Sequence, residues 1–422
     1  MTGTGLSSQA WLHRFAVLTA AAALGLIGLG GLVTSHGVGM AVPDWPNTFG
    51  YNMFFFPISK WVGGIFYEHS HRLAASAVGM LTTILALWLH GRNARPLMRW
   101  SGLALVALGV ATCIGWPGHL ADGVVLGGTG LILFGTSFVW PRCEPSSKLL
   151  RRLGLAAFVA VVLQGVLGGL RVALIKDQIG IFHATLAQLF FVLLCAIALF
   201  TSSKWRGINE EKASGAEKVA APGAPVLSGA WVLLLATTLL VFGQLVLGAT
   251  MRHQHAGLAI PDFPLAYGKL WPATDQASVE SYNQHRQEVV SVNPITSLQI
   301  VLQMLHRIVA VLIAGAVACC AWILRRRLGA RHPSSRLALA WLGLILLQVG
   351  LGAATIWSDK AADIATAHVL TGALSLAAGA ILSMVCFRDL VFSRVAAQSA
   401  VTMEAWPRTS FAPKPAGTTQ FH

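Results

Sequence analysis

Charged side chains are scarce in this chain: they make up 11% of its 422 residues, against about a quarter in water-soluble domains. That excludes a soluble globule, which needs a hydrated surface. Acidic residues are the scarcer sign, 16 against 30 Lys and Arg, giving a formal charge of +14. The basic residues share no single face; they fall in alternate loops between apolar runs, so they report membrane topology and no nucleic-acid partner is implied. The six cysteines (Cys113, Cys143, Cys195, Cys319, Cys320, Cys386) lie within apolar runs or at their basic ends. None falls in the two long outer loops, so no disulfide framework is expected. Zinc-type His/Cys spacing is absent, and no phosphate- or dinucleotide-binding glycine fingerprint follows a strand.

What the chain does have is apolar length, with 55% hydrophobic residues. Runs of about 20 residues, enough to cross a ~30 Å hydrocarbon core, fall at about 15–34, 71–90, 153–173, 181–200, 228–249, 302–324, 335–356 and 364–387. Two shorter, Gly-richer runs, about 101–117 and 123–140, bring the expected spans to ten. With ten spans, Arg14, the Arg92/Arg95/Arg99 loop, Arg142 to Arg152, Lys204 to Lys218, Arg325 to Arg336 and Arg388 share one side. That side is then cytoplasmic and holds both termini. The opposite loops carry Asp44, Asp122, Asp177, Asp262, Glu280, Asp359 and Asp363. Arg14 before an apolar run resembles a signal peptide, but no A-x-A site precedes a polar mature domain, and the run is read as the first span.

The chain repeats itself. Gly39-Met40-Ala41-Val42-Pro43-Asp44-Trp45-Pro46 returns as Gly257-Leu258-Ala259-Ile260-Pro261-Asp262-Phe263-Pro264. Leu163-Gln164-Gly165-Val166-Leu167-Gly168-Gly169 returns as Leu347-Gln348-Val349-Gly350-Leu351-Gly352-Ala353. The expected fold is therefore all-α and polytopic, two tandem pseudo-symmetric four-helix bundles related by duplication. The stretch from His71 to Gln164 exceeds that from His306 to Gln348 by about 50 residues, the size of two membrane helices, so the pair at about 101–140 reads as an insertion in the first bundle. The expected parts are an N-terminal bundle over 1–201, a polar linker over 202–227, a C-terminal bundle over 228–389 and a disordered tail over 390–422. Gly30, Gly31, Gly168, Gly169, Gly248 and Gly352 allow close approach of a flat ligand, or of one helix to another.

One histidine opens each of four repeated helices: His71, His183, His306 and His368. All four are expected near the outer ends of spans. A lone intramembrane histidine is commonly a structural hydrogen-bonding group, but a symmetric quartet at one depth fits ligands. Facing imidazoles inside a helical bundle hold haem iron on both faces. Arg72 and Arg307 each follow a histidine, where a guanidinium suits either a haem propionate or an interfacial anchor. Glu68 lies one turn before His71 on the same helix face, and Gln303 takes its place in the second half. That asymmetry fits proton handling at one site only, or a carboxylate favoured by the helix dipole.

These motifs resemble the haem A synthase family. The likeness rests on Glu68-x-x-His71-Arg72, the Gly39 to Pro46 segment, the 163–169 segment and the four helix histidines. The resemblance implies an oxidoreductase that converts haem O to haem A for cytochrome oxidase, oxidising a methyl group to formyl by successive hydroxylations with water-derived oxygen. It implies a substrate site in the N-terminal bundle at His71 and His183 with Arg72, and Glu68 in the chemistry. It implies a haem b cofactor in the C-terminal bundle between His306 and His368, with Arg307 beside it. It further implies a multi-pass protein of the cell inner membrane, with a haem O-forming farnesyltransferase and cytochrome oxidase assembly proteins as partners. Two departures stand out: the first outer loop lacks the cysteine pair that many bacterial members carry, and ten spans exceed the family's eight. Two rival readings remain, a membrane diheme electron carrier of cytochrome b type and a haem-binding assembly factor without substrate chemistry.

Overall fold

The computed structural model describes residues 3–207, 224–285 and 294–404. A bilayer offers backbone groups no water, so a spanning segment must satisfy them internally, as a helix does. The chain is accordingly helical, and among the described residues the only β pairing is two isolated bridges, Thr48 to Tyr51 and Ala266 to Lys269. The membrane-length helices are α1 (Gly3–Ser35), α2 (Gly64–His90), α3 (Ala94–Gly115), α4 (Leu120–Val139), α5 (Lys148–Leu174), α6 (Asp177–Thr201) and α7 (Ala224–His253). After a short loop helix, α8 (Gln276–Gln284), come α9 (Ser297–Leu328), α10 (Pro333–Trp357) and α11 (Ala362–Glu404). Nine continuous helical runs among the described residues are long and apolar enough to cross a membrane. One of them, Gly64–Gly115, is divided by the 3-10 turn Gly91–Asn93 into α2 and α3, so the ten spans expected from the sequence are present as ten helices.

Helix ends follow local chemistry. Thr296 and Gln299 form a reciprocal capping box at the start of α9, and Arg325, Arg326 and Arg327 occupy its last turn, where the carbonyl end of the dipole favours cations. His332 caps α10, with Pro333 at the first helical position. Asp275 caps α8, and its hydrogen bonds from Ser278 hold its carboxyl below the usual range. At the far end, α11 continues to Glu404, past residue 390 where a disordered tail is expected, because residues 391–404 contain no Gly or Pro to end it. Residues 405–422 of that expected tail, and 208–223 of the expected linker, lie outside the described residues.

Helices α1, α2, α5 and α6 enclose a core that includes Leu85, Leu89, Phe190, Phe191, Leu194 and Ile197. Helices α7, α9, α10 and α11 enclose another around Trp341, Leu234, Val317, Leu324 and Leu382. The two groups meet where α1 packs on α11 and α6 packs on α7 and α11. The pair α3 and α4 stands apart, packed on itself. A Cβ on Gly109 would lie 2.5 Å from the Gly127 nitrogen, and one on Gly130 would lie 2.6 Å from the Gly102 carbonyl oxygen. Only glycine permits this backbone-to-backbone contact, a common way to join helices in lipid where apolar burial supplies little drive. The hairpin is held to the bundle at its two ends, by Ser146 N–H donating to Leu89 O at 3.0 Å and by Asn52 Nδ2 donating to Asp122 Oδ1 at 2.8 Å.

Candidate functional site

His71 on α2, His183 on α6, His306 on α9 and His368 on α11 each lie within the first three turns of their helices, at the end that carries the long loops. The structure brings them together in two pairs. The rings of His306 and His368 face each other with centroids 6.5 Å apart and planes 58° apart. His71 and His183 are near enough to act on each other electrostatically. Each ring rests on a glycine of the preceding membrane helix of its bundle. A Cβ on Gly30, Gly168, Gly248 or Gly352 would stand 3.1, 3.4, 3.3 or 3.2 Å from Cε1 of His71, His183, His306 or His368 respectively. These four glycines therefore serve the histidine rings, a role more specific than general helix contact. The other two named with them serve the fold: Gly31 meets the Thr366 side chain, and Gly169 lies under the Trp45 indole.

The rings are fixed from their backbones as well. Gln164 Nε2 donates to the His183 carbonyl at 3.0 Å, and Gln244 Nε2 donates to the His306 carbonyl at 2.7 Å. Gln164-Gly165-Val166-Leu167-Gly168 recurs as Gln244-Leu245-Val246-Leu247-Gly248, a short match that the longer repeats overshadow. In all four histidines Nδ1 is buried without a hydrogen-bond partner, which leaves Nε2 as the nitrogen on the open side of the ring. An imidazole nitrogen binds a first-row metal ion at about 2 Å, so two rings sharing one axial metal have centroids about 6 to 6.5 Å apart. The His306–His368 pair has that separation. Among the described residues there is no cluster of three or more His, Cys, Asp or Glu suited to a bare ion. Two imidazoles without a third protein ligand suit a metal whose remaining positions are filled by its own macrocycle.

Above each pair sits a loop tied by the same set of contacts. Glu68 is 4% exposed; its Oε2 accepts from Val42 N–H at 2.9 Å and its Oε1 pairs with Arg72 at 2.8 Å. Arg72 also donates to the carbonyls of Val42, Asp44 and Asn47 at 3.0, 2.7 and 2.9 Å. In the second half Gln303 Oε1 accepts from Ile260 N–H at 2.7 Å, and Arg307 donates to the carbonyls of Asp262 and Leu265 at 2.7 and 2.9 Å. Asp44 and Asp262 each accept two backbone N–H bonds, from Phe49 and Gly50 and from Tyr267 and Gly268. The Trp45-Pro46 and Phe263-Pro264 bonds are both cis. Arg72 and Arg307 thus have Nη groups engaged by loop carbonyls. His69, outside the quartet, is fully buried, with Nδ1 3.2 Å from Thr48 Oγ1 and its ring against Phe56 and Trp61. The loop folds over it, which its sequence neighbours do not reveal.

Residues 125–380 match the family model COX15-CtaA, cytochrome oxidase assembly protein. The match includes His183, His306 and His368 and begins after Glu68 and His71. A protein named heme A synthase from Beijerinckia indica is 30% identical over 228 residues, covering 52% of this chain and 56% of the relative. Its namesake from Symbiobacterium thermophilum is 36% identical over 142 residues, 32% of this chain and 42% of the relative. A third, from Rhizorhabdus wittichii, is 28% identical over 255 residues, 60% of this chain and 66% of the relative. The chain thus spans 42% to 66% of the length of these relatives.

Proposed function

This chain belongs to the COX15-CtaA family of cytochrome oxidase assembly proteins, and on that footing we propose that it is a haem A synthase. In this reading it oxidises a methyl group of haem O to formyl, drawing oxygen from water. Two hydroxylations would give a geminal diol and loss of one water the aldehyde; overall one water is consumed, four protons are released and four electrons pass to an oxidant outside the chain. The α1/α2/α5/α6 bundle takes the substrate between His71 and His183. The α7/α9/α10/α11 bundle takes haem b between His306 and His368, and haem b supplies one-electron redox chemistry there.

The observation that carries this reading is the 6.5 Å facing of His306 and His368, together with the glycine rest that recurs behind all four rings. The residues of the chain then have distinct tasks. The imidazoles fix the macrocycle planes. Gln164 and Gln244 hold two of the four helix backbones in register with them. The Glu68 carboxylate, one turn from His71, is the proton-accepting group at the substrate rim, held by Arg72 and the Val42 N–H. Gln303, its counterpart, carries no charge, so proton acceptance is confined to one site. The loops closed by Arg72 and Arg307 lie beside the histidine pairs and would keep bulk water from a macrocycle held there. Placement in the inner membrane with cytoplasmic termini follows from the basic loops. Haem O implies a haem O-forming farnesyltransferase upstream and cytochrome oxidase assembly downstream.

The four histidines lie side by side at one end of the bundle, whereas a carrier moving electrons across a membrane places its haems at two depths. This counts against the diheme-carrier reading. The test is to co-express the chain with a haem O-forming enzyme, purify it and resolve the extracted haems by chromatography and mass spectrometry. Haem A or its hydroxymethyl precursor is the expected product. Haem b beside untouched haem O would overturn the synthase in favour of a carrier or assembly factor.

A further inference from the structure

Among the described residues, two arginines inside the bundle have no carboxylate partner. Arg171 on α5 lies three residues beyond Gly168, and Arg252 on α7 lies four beyond Gly248, so each is about one helical turn, ~5 Å, loopward of a glycine that supports a histidine. Arg171 makes no hydrogen bond or ion pair among the described residues, and its Nη atoms would stand 3.2 Å from a Cβ on Gly39, at the start of the first loop motif. Arg252 crosses between the two halves: its Nη2 donates to the Gly31 carbonyl at 2.6 Å and to Ser35 Oγ at 2.5 Å on α1. Nε of both is buried and unpartnered. The carboxylates paired with a cation among the described residues lie elsewhere: Glu68, Glu144, Asp122 and Asp389. The charge of Arg171 reaches His71, His183 and Arg252, and that of Arg252 reaches His368.

Two like charges within electrostatic reach of each other in a membrane protein, each near a different histidine pair and neither neutralised by a described carboxylate, favour an anion from outside the chain. We propose that Arg171 and Arg252 bind the carboxylate edges of the two iron tetrapyrroles, Arg171 for the macrocycle at His71 and His183 and Arg252 for the one at His306 and His368. The inference rests on the reading that the histidine pairs hold such macrocycles. The geometry suits it: a macrocycle held between facing imidazoles presents its carboxylate edge in one direction, and both guanidiniums lie loopward of the ring supports. Arg72 and Arg307, by contrast, have their Nη groups committed to loop carbonyls. The pair does not follow the sequence repeat, since Thr355 and Thr34 stand at the corresponding positions. Each half contributes its arginine from a different helix, and the two carboxylate edges meet at the seam between the bundles.

The test compares iron protoporphyrin IX, a dicarboxylate, with its dimethyl ester, each titrated into the full-length haem-depleted chain in lipid nanodiscs. Wild type should take both into the low-spin bis-imidazole state and bind the dicarboxylate about 10- to 100-fold tighter, as charge-assisted hydrogen bonds require. The Arg171→Gln/Arg252→Gln double variant should bind the ester as wild type does and the dicarboxylate no better. Ester binding is thus an internal control for an intact pocket. Equal binding of both compounds by wild type would overturn the proposal and leave a lipid phosphate as the neutralising anion. A double variant that keeps the preference, or that loses the ester too, would also overturn it. Absence of a bis-imidazole spectrum with either compound in wild type would bring down the haem reading itself, and this inference with it.

Discussion

Gln303 stands in the second half where Glu68 stands in the first, and each accepts a backbone N–H from the matching loop residue, Ile260 at 2.7 Å and Val42 at 2.9 Å. The loop contact therefore needs an acceptor but no charge. This separates two roles that otherwise coincide at Glu68.

Glu68→Gln should keep the first loop closed and the resident haem bound, while haem A formation in co-expressing cells falls to background. Glu68→Ala removes the acceptor as well and leaves Arg72 short of its ionic partner. It should cost about 2 kcal/mol of stability, limited because Arg72 retains its carbonyl partners. Thermal melts in detergent read the second effect and haem extraction the first. Full activity in Glu68→Gln would remove the carboxylate from the chemistry.

Gly248→Ala and Gly352→Ala place a methyl 3.3 and 3.2 Å from a histidine Cε1, so either the ring or the helix must yield by a few tenths of an ångström. About tenfold weaker haem retention is expected, the usual scale for disturbing what orients a metal ligand. Gly350→Ala, on the same helix with nothing near its Cβ, is the control and should retain haem as wild type does. Haem per polypeptide after gel filtration distinguishes them.

His306→Ala or His368→Ala should abolish the low-spin spectrum of the protein purified without haem O. His71→Ala or His183→Ala should leave that spectrum and abolish product. If His71→Ala removes the resident haem while His306→Ala spares it, the assignment of substrate and cofactor to the two halves is reversed.

Gly109→Leu drives a side chain into the Gly127 backbone and should part α3 from α4. Overpacking of this kind costs about 1–3 kcal/mol. Because the hairpin touches the bundle mainly at its ends, proteolysis near the 116–119 turn should accelerate while the haem spectrum stays unchanged. A lost spectrum would mean that the hairpin supports the histidine pairs.

The four histidines and the glycines behind them were legible because helical spacing and recurrence place them without knowledge of packing. The Glu68/Gln303 substitution was legible as an asymmetry, but not as a loop contact, since Val42 and Ile260 reach it through backbone atoms that leave no trace in side-chain pattern. The burial of His69 was not legible because it depends on Phe56 and Trp61 arriving from the loop. Arg171 and Arg252 escaped notice for the opposite reason: each lacks a counterpart in the other half, so a search guided by repetition passes over them. The helical course of 390–404 was hidden by polar residues that end an apolar run without ending a helix.

One helix belongs to both cores. Ala373 and Ala377 of α11 pack with Leu85, Phe190 and Leu194 of the first bundle, while Leu376, Ala378 and Leu382 of the same helix pack with Trp341 and Leu324 of the second. His368 rides on that helix two turns away. The helix that carries His368 thus completes the first core as well as the second, and neither half closes its core without the other.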